Sequence, residues 1–226
     1  MNSRRRVNST VGLTATYLER TRRDSCLTKF SSAITWWRCG LQGGLLTLNR
    51  WYSIFIDGSV NTRDIDERLP DQTVRQIIRD DYLRDSSVTI VLVGTGTWGR
   101  KHVDWEIFSS MFDGRLNKRS GILVVMLPST GCTNFYAAHT DEKERVYPGC
   151  TSWRTITTRS EYEQTYPYMP ERLVDNLLKT EAKVSVTTWD TVSTNPSKLE
   201  FLIDAAWRDR TSCEYDLSRP MRRYNA

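Results

Sequence analysis

Between Ser86 and Ser110 the chain passes from an almost unbroken apolar run, Val88 to Val93, through a Gly-Thr loop into a segment with helical spacing. A β-branched run without polar alternation is the pattern of a strand covered on both faces, and such strands belong to parallel sheets flanked by helices. The same pattern recurs at Gly121 to Leu127, GILVVML, which Pro128 closes. Around these two strands the pattern is regular. Tyr52 to Ile56 reads as a short strand ended by Asp57-Gly58. Asp71 to Leu83 places Val74, Ile77, Ile78 and Leu83 at helical spacing after Pro70, and a helix is expected from Lys101 to Phe112. Arg172 to Lys179 predicts a short helix, Lys183 to Thr187 a strand, and Pro196 to Arg208 a final helix with Leu199, Leu202, Ile203 and Ala206 on one face. Repeated strand-helix alternation is the signature of a doubly wound α/β sheet.

Two stretches resist this reading. Residues 129–170, rich in Thr and Tyr, show no period that assigns an element. Residues 1–50 are crowded with Arg, Ser, Thr, Trp and Cys; their one candidate strand is Thr10 to Tyr17, where Val11, Leu13, Ala15 and Tyr17 alternate. It is placed to serve as the first strand of the sheet. The expected organisation is an atypical basic N-terminal segment at 1–50, an α/β domain at 51–208 and a loose tail at 209–226.

Charge sharpens this division. Residues 1–50 hold nine Arg and Lys against two acids, whereas residues 51–226 hold 23 against 25, so the net +5 is local to the N-terminal segment. A phosphate-tracking face on the folded part is not supported, no nucleic-acid-binding motif is present, and nucleic acid is not expected as a partner. The five cysteines are widely spaced with no CxxC, which predicts neither a disulfide framework nor a zinc site. No apolar run reaches the ~18 to 20 residues of a membrane span, and the expectation is a cytoplasmic protein without membrane contact.

The loop after a parallel strand is where α/β proteins bind ligands, which draws attention to Gly94, Thr95, Gly96 and Thr97 and to the helix beyond. These residues can bring backbone N–H groups to a phosphate, with Arg100 and Lys101 at the helix start. Trp98 and Trp105 offer flat faces to a nucleotide ring, and either could equally be a packing residue. On a helical wheel Val103, Ile107 and Met111 share the buried face, while His102, Glu106, Ser109 and Asp113 form a polar stripe. Glu106 therefore sits where core meets cleft. A solvated helix acid is the ordinary alternative for Glu106, a surface position for His102, and a turn-forming role for Asp57.

The run DIDERLPDQTVRQIIRDDYLRDSSVTIVLVGTGTWGRKHVDWEI resembles the TIR-like domains of bacteria that include the Thoeris anti-phage sensor. The most specific elements are Arg79-Asp80, then Ser86-Ser87-Val88-Thr89, Thr97-Trp98, and Arg100 through Glu106. The resemblance implies a flavodoxin-like doubly wound parallel sheet of order 2-1-3-4-5. It also implies an enzyme that cleaves the nicotinamide-ribose bond of NAD, its substrate rather than a bound cofactor, and that closes the product in some members into a cyclic ADP-ribose signal. Glu106 matches the family's catalytic glutamate, and Gly94, Thr95, Gly96, Thr97, Trp98, Arg100 and Trp105 would border NAD. TIR self-association and a separate nucleotide-sensing effector are the implied partners, and no metal is needed. In that family the first strand and its loop carry an aromatic-Ser-aromatic-His motif that residues 11–23 do not reproduce. A switch at about Trp51 from unmatched to matching sequence is what an upstream region read in another frame would give. A non-catalytic TIR interaction module and a nucleoside deoxyribosyltransferase using Glu106 as nucleophile are the alternative functions.

Overall fold

The computed structural model describes residues 13–18, 27–28 and 56–57 as backbone, and 65–66, 68–83, 86–114 and 117–226 with their side chains. Its centre is three parallel strands: β4 (Ser86–Val93), β5 (Gly121–Met126) and β6 (Ser185–Thr188). β4 and β5 run in register from Val88 opposite Gly121 to Val93 opposite Met126, and β5 meets β6 from Leu123 opposite Ser185 to Met126 opposite Thr188. On the far side of β4 lies β1 (Leu13–Leu18). Its other edge is shared end to end by β3 (Ile56–Asp57), at Ala15 and Thr16, and β2 (Leu27–Thr28), at Tyr17 and Leu18. The expected neighbours therefore stand side by side in an α/β, flavodoxin-like arrangement.

One departure concerns β1, which pairs antiparallel with β4, from Leu13 opposite Leu92 to Leu18 opposite Ser86. A central strand of an all-parallel sheet reads as a continuous apolar run. LTATYL instead interleaves Thr14 and Thr16 with its apolar residues, the alternation typical of antiparallel pairs. The remaining readings of residues 1–50, the change of character near Trp51 and most of the strand expected at Tyr52 to Ile56 lie outside the described residues.

Both faces of the parallel strands are covered, as their unbroken apolar runs require. Val91, Val93, Ile122, Val124 and Met126 pack on one face against α2 (Lys101–Met111) and α5 (Glu171–Leu177). Val88, Ile90, Leu92, Leu123 and Val125 pack on the other against α7 (Pro196–Asp209). Gly121 is needed where β5 meets α7, because a Cβ there would land on the Ala206 carbonyl oxygen. A third cluster joins Val74 of α1 (Asp71–Ile77) and Ile78 of the π-helical turn that follows it to Trp105 and Met221.

Residues 129–170 form an arm of the core rather than a detached loop. Tyr136 bridges Val186 and extends the sheet beyond β6. Two short helices, α3 (Glu142–Val146) and α4 (Arg159–Thr165), bring Val146 and Tyr147 to one face and Tyr162 and Tyr166 to the other. A reciprocal cap of Thr158 and Glu161 starts α4. The remaining helix, α6 (Trp189–Ser193), follows β6 directly, with Thr188 capping the Thr191 N–H.

The tail expected to be loose is packed. The buried Asn176 and the backbone of Asp216 bond each other in both directions, at 2.8 and 3.1 Å. Tyr215 donates to the Ser120 carbonyl at 2.9 Å, and Met221 is buried. A tail rich in Arg, Asp and Ser has no apolar period to announce this, since its attachment is mostly polar.

Candidate functional site

Helix α2 is the element on which the candidate chemistry rests. It leaves the carboxyl end of β4 through the turn at Gly94 to Arg100 and runs back along the sheet. Its lower end is fixed by Ser110, whose hydroxyl accepts from Thr89 of β4 at 2.8 Å. Glu106 lies one turn closer to the carboxyl edge and about 40° further around the helix. That places it on the flank of α2 beside β4 and towards β1, against which α2 also packs. The side chain is 2 % exposed, so it is not the solvated helix acid of the ordinary alternative. A carboxylate this enclosed is rare in a protein unless partnered.

The turn before α2 is tied into itself. The Thr97 hydroxyl accepts from the Gly94 N–H at 2.8 Å, the Thr97 N–H bonds the Gly94 carbonyl at 3.1 Å, and Thr97 is fully buried. At the helix start the Lys101 N–H is capped by Asn225 from the tail at 2.9 Å, and the Ala226 N–H reaches the Gly99 carbonyl. Two of the N–H groups expected to face a phosphate, those of Gly94 and Thr97, thus have internal partners. Arg100 stands at the helix start, its pKa lowered by partial burial. Thr95 and Gly96 are half-buried.

The two tryptophans separate. Trp105 is buried, its indole N–H donates to the Arg222 carbonyl at 2.7 Å, and the His102 ring lies 5.1 Å away. It is a packing residue that ties α2 to the tail. Trp98 is 44 % exposed and lines a cleft of 330 Å³ with Asp104, Pro170, Glu171, Pro220, Met221 and Arg222 among others. Asp104 and Glu106, two positions apart, face about 160° apart around the helix. Trp98 and Glu106 therefore border opposite flanks of α2.

The earlier elements of the motif do a different job. Arg79, in the π-helical turn, is buried and donates to the Ser120 hydroxyl at 3.3 Å, while Ser120 also bonds the Ser86 carbonyl at 3.1 Å. Burial pushes the Arg79 guanidinium down to about 10, against the pull of Asp80 and Asp113. This network joins the amino ends of β4 and β5, the edge opposite the loop, so the Arg-Asp and Ser-Ser elements brace the sheet.

Sequence reasoning missed two polar groupings. Arg172, fully buried on α5, grips Asp104 with both edges of its fork, Nε to Oδ1 at 2.8 Å and Nη2 to Oδ2 at 3.0 Å. A signal existed: the wheel puts Asp104 between Met111 and Phe108, and an acid inside an apolar stripe implies a buried partner. The second lies at β6. Glu142 Oε2 accepts from the N–H groups of Ala138 and His139, both at 3.0 Å, and from the Ser185 hydroxyl at 2.6 Å. His139 Nδ1 meets Asp209 at 2.9 Å. These partners lie 43 and 70 residues apart, and no local pattern could reveal them. Among the described residues, no group of His, Cys, Asp and Glu could hold a metal ion, and no helix is long and apolar enough to cross a membrane. Cys132, Cys150 and Cys213 are free thiols.

Comparison with known families meets this geometry at α2. The family model described as Thoeris protein ThsB, TIR-like domain, matches residues 43–131, less than half of the 226. The match takes in β4, the turn, α2 and β5, and so contains Glu106 and every residue expected to border the nucleotide. It begins upstream of Trp51. No curated protein and no solved structure matches the chain.

Proposed function

We propose that this chain, which carries a TIR-like domain close to that of Thoeris and is a TIR-type defence protein, cleaves NAD to nicotinamide and an ADP-ribose product. The observation that carries the reading is Glu106, a carboxylate 2 % exposed, on the helix that follows the first of the parallel strands.

In the proposed reaction the bond between ribose C1′ and the nicotinamide nitrogen breaks, and its electron pair goes to that nitrogen. The pyridinium leaves as a neutral pyridine, so no general acid has to protonate it, and one carboxylate suffices. The positive charge left on C1′ and the ring oxygen is what Glu106 would stabilise, directly or by holding the ribose hydroxyls. Exclusion from water strengthens this attraction, because the effective dielectric around a buried group is lower than that of solvent. The cation is then consumed by water or by a nucleophile within the same molecule, and a proton is released in either case. The first gives linear and the second cyclic ADP-ribose, the signal that a separate nucleotide-sensing effector would read in defence against phage. Association of TIR domains belongs to the same proposal.

The test is release of nicotinamide from NAD by purified protein, with and without phage lysate as trigger, alongside Glu106→Gln. Retained cleavage in the variant would refute the role of Glu106. An output in infected cells that survives the substitution would favour a docking module.

A further inference from the structure

We infer that Asp104 and Arg172, together with the strap at 219–226, are positioning residues that set the rotation of α2 and thereby the placement of Glu106. The inference rests on the proposed role of Glu106. Asp104 takes three donors: besides both contacts from Arg172, its Oδ2 accepts the backbone N–H of Arg222 at 2.8 Å. Arg172 is engaged beyond the pair as well. Its Nη1 donates to the Arg219 carbonyl at 2.9 Å and its Nη2 to the Pro220 carbonyl at 3.0 Å, while its guanidinium lies 4.7 Å from the centre of the Phe108 ring, one turn along α2. The strap continues along the same helix. Trp105 bonds the Arg222 carbonyl and Asn225 caps the Lys101 N–H, so three consecutive turns, at Lys101, Asp104–Trp105 and Phe108, are gripped from the outer flank.

A forked, two-point ion pair is directional, unlike a contact between a point charge and a carboxylate. Held at Asp104, α2 cannot turn about its axis without breaking one arm of the fork. Side-chain ends lie roughly 5 to 6 Å from a helix axis, so a turn of about 10° would carry the Glu106 carboxylate about 1 Å. A displacement of that size at a reacting centre can lower a rate on the order of 100-fold. The buried pair thus acts on the reaction from the flank opposite Glu106, without touching NAD.

The experiment compares wild type, Arg172→Lys, Asp104→Asn and Asn225→Ala for steady-state NAD cleavage, hydrogen exchange of the α2 amides and thermal unfolding. Lys cannot form the fork, and Asn turns a donor towards Arg172. Both variants are expected to lose about 10- to 100-fold in kcat with KM changed by less than about threefold, and to exchange faster in α2. Asn225→Ala leaves the buried pair intact and keeps the readout available if the other two do not fold; a loss of about two- to fivefold in kcat with faster exchange at the start of α2 is expected. Folded variants with wild-type kcat, or with losses in KM alone, would overturn the positioning role. Faster α2 exchange in a protein that leaves NAD intact would sink the NAD reading and this role with it. Unchanged exchange with intact NAD cleavage would sink the positioning role alone.

Discussion

Glu142 gives the stability of this fold a pH dependence whose sign is opposite to that of an ordinary carboxylate. Its Oε2 takes three donors, which pull its pKa down. Burial outweighs them and pushes the group up from 4.5 to about 7, and Oε1 is buried without a partner among the described residues. Between pH 4.5 and 7 the unfolded chain sheds this proton while the folded protein keeps it. The folded state then binds more protons, and stability falls as pH rises. From these two values, the cost grows by about 2.5 kcal/mol between pH 5 and pH 8. Glu142→Gln keeps an acceptor oxygen for the three donors and removes the titration. Urea unfolding followed by circular dichroism at constant ionic strength should therefore show the variant gaining on wild type by roughly that amount across the range. His139, beside it, works the other way. Its burial lowers its pKa while Asp209 pulls it up, so its contribution is lost as pH falls below the usual His range. Lys183 and Arg208 face the same group from β6's approach and α7. These terms are common to both proteins and drop out of the difference. A difference that stays flat from pH 5 to 8, or grows towards acid, would refute the assignment.

Two further predictions follow from packing. Gly121→Ala drives a methyl group onto the Ala206 carbonyl oxygen, where neither β5 nor α7 has a flexible side chain to give way. It should cost about 3 kcal/mol or more, read as a lowered urea midpoint or loss of soluble protein, and an unchanged midpoint would contradict the close approach. Asp104→Ala strips the fully buried Arg172 of its carboxylate. About 3 to 5 kcal/mol should be lost in chemical denaturation, because an unpaired buried charge remains, and a loss under 1 kcal/mol would show that the pair is not buried as described.

How much of this was legible in the sequence follows from the range of the forces involved. β4, β5, α2 and α7 were readable because each has a periodic apolar face, and periodicity is set locally. The arm at 129–170 was not, since its core contribution comes from isolated aromatics such as Tyr147, Tyr162 and Tyr166 and a single bridge at Tyr136. The antiparallel direction of β1 departs from the parallel sheet that the family resemblance implies, and the Thr-interleaved pattern of Leu13 to Leu18 is its local sign. For the candidate site, the wheel put Glu106 between the apolar face of α2 and a polar stripe, and the side chain is buried. The internal bonds of the Gly-Thr turn and the capping of α2 by Asn225, 124 residues away, were not legible. Motif residues proved to be of two kinds, those on α2 around Glu106 and those, such as Arg79 and Ser86, that brace the opposite edge of the sheet.

The most direct measurement is the rate of nicotinamide release from NAD by wild type and Glu106→Gln, both shown to be folded by matching melting curves. A carboxylate that stabilises the sugar cation predicts a loss of about 100- to 1,000-fold in kcat on replacement by the neutral amide. Equal rates in the two proteins would contradict the account at its centre.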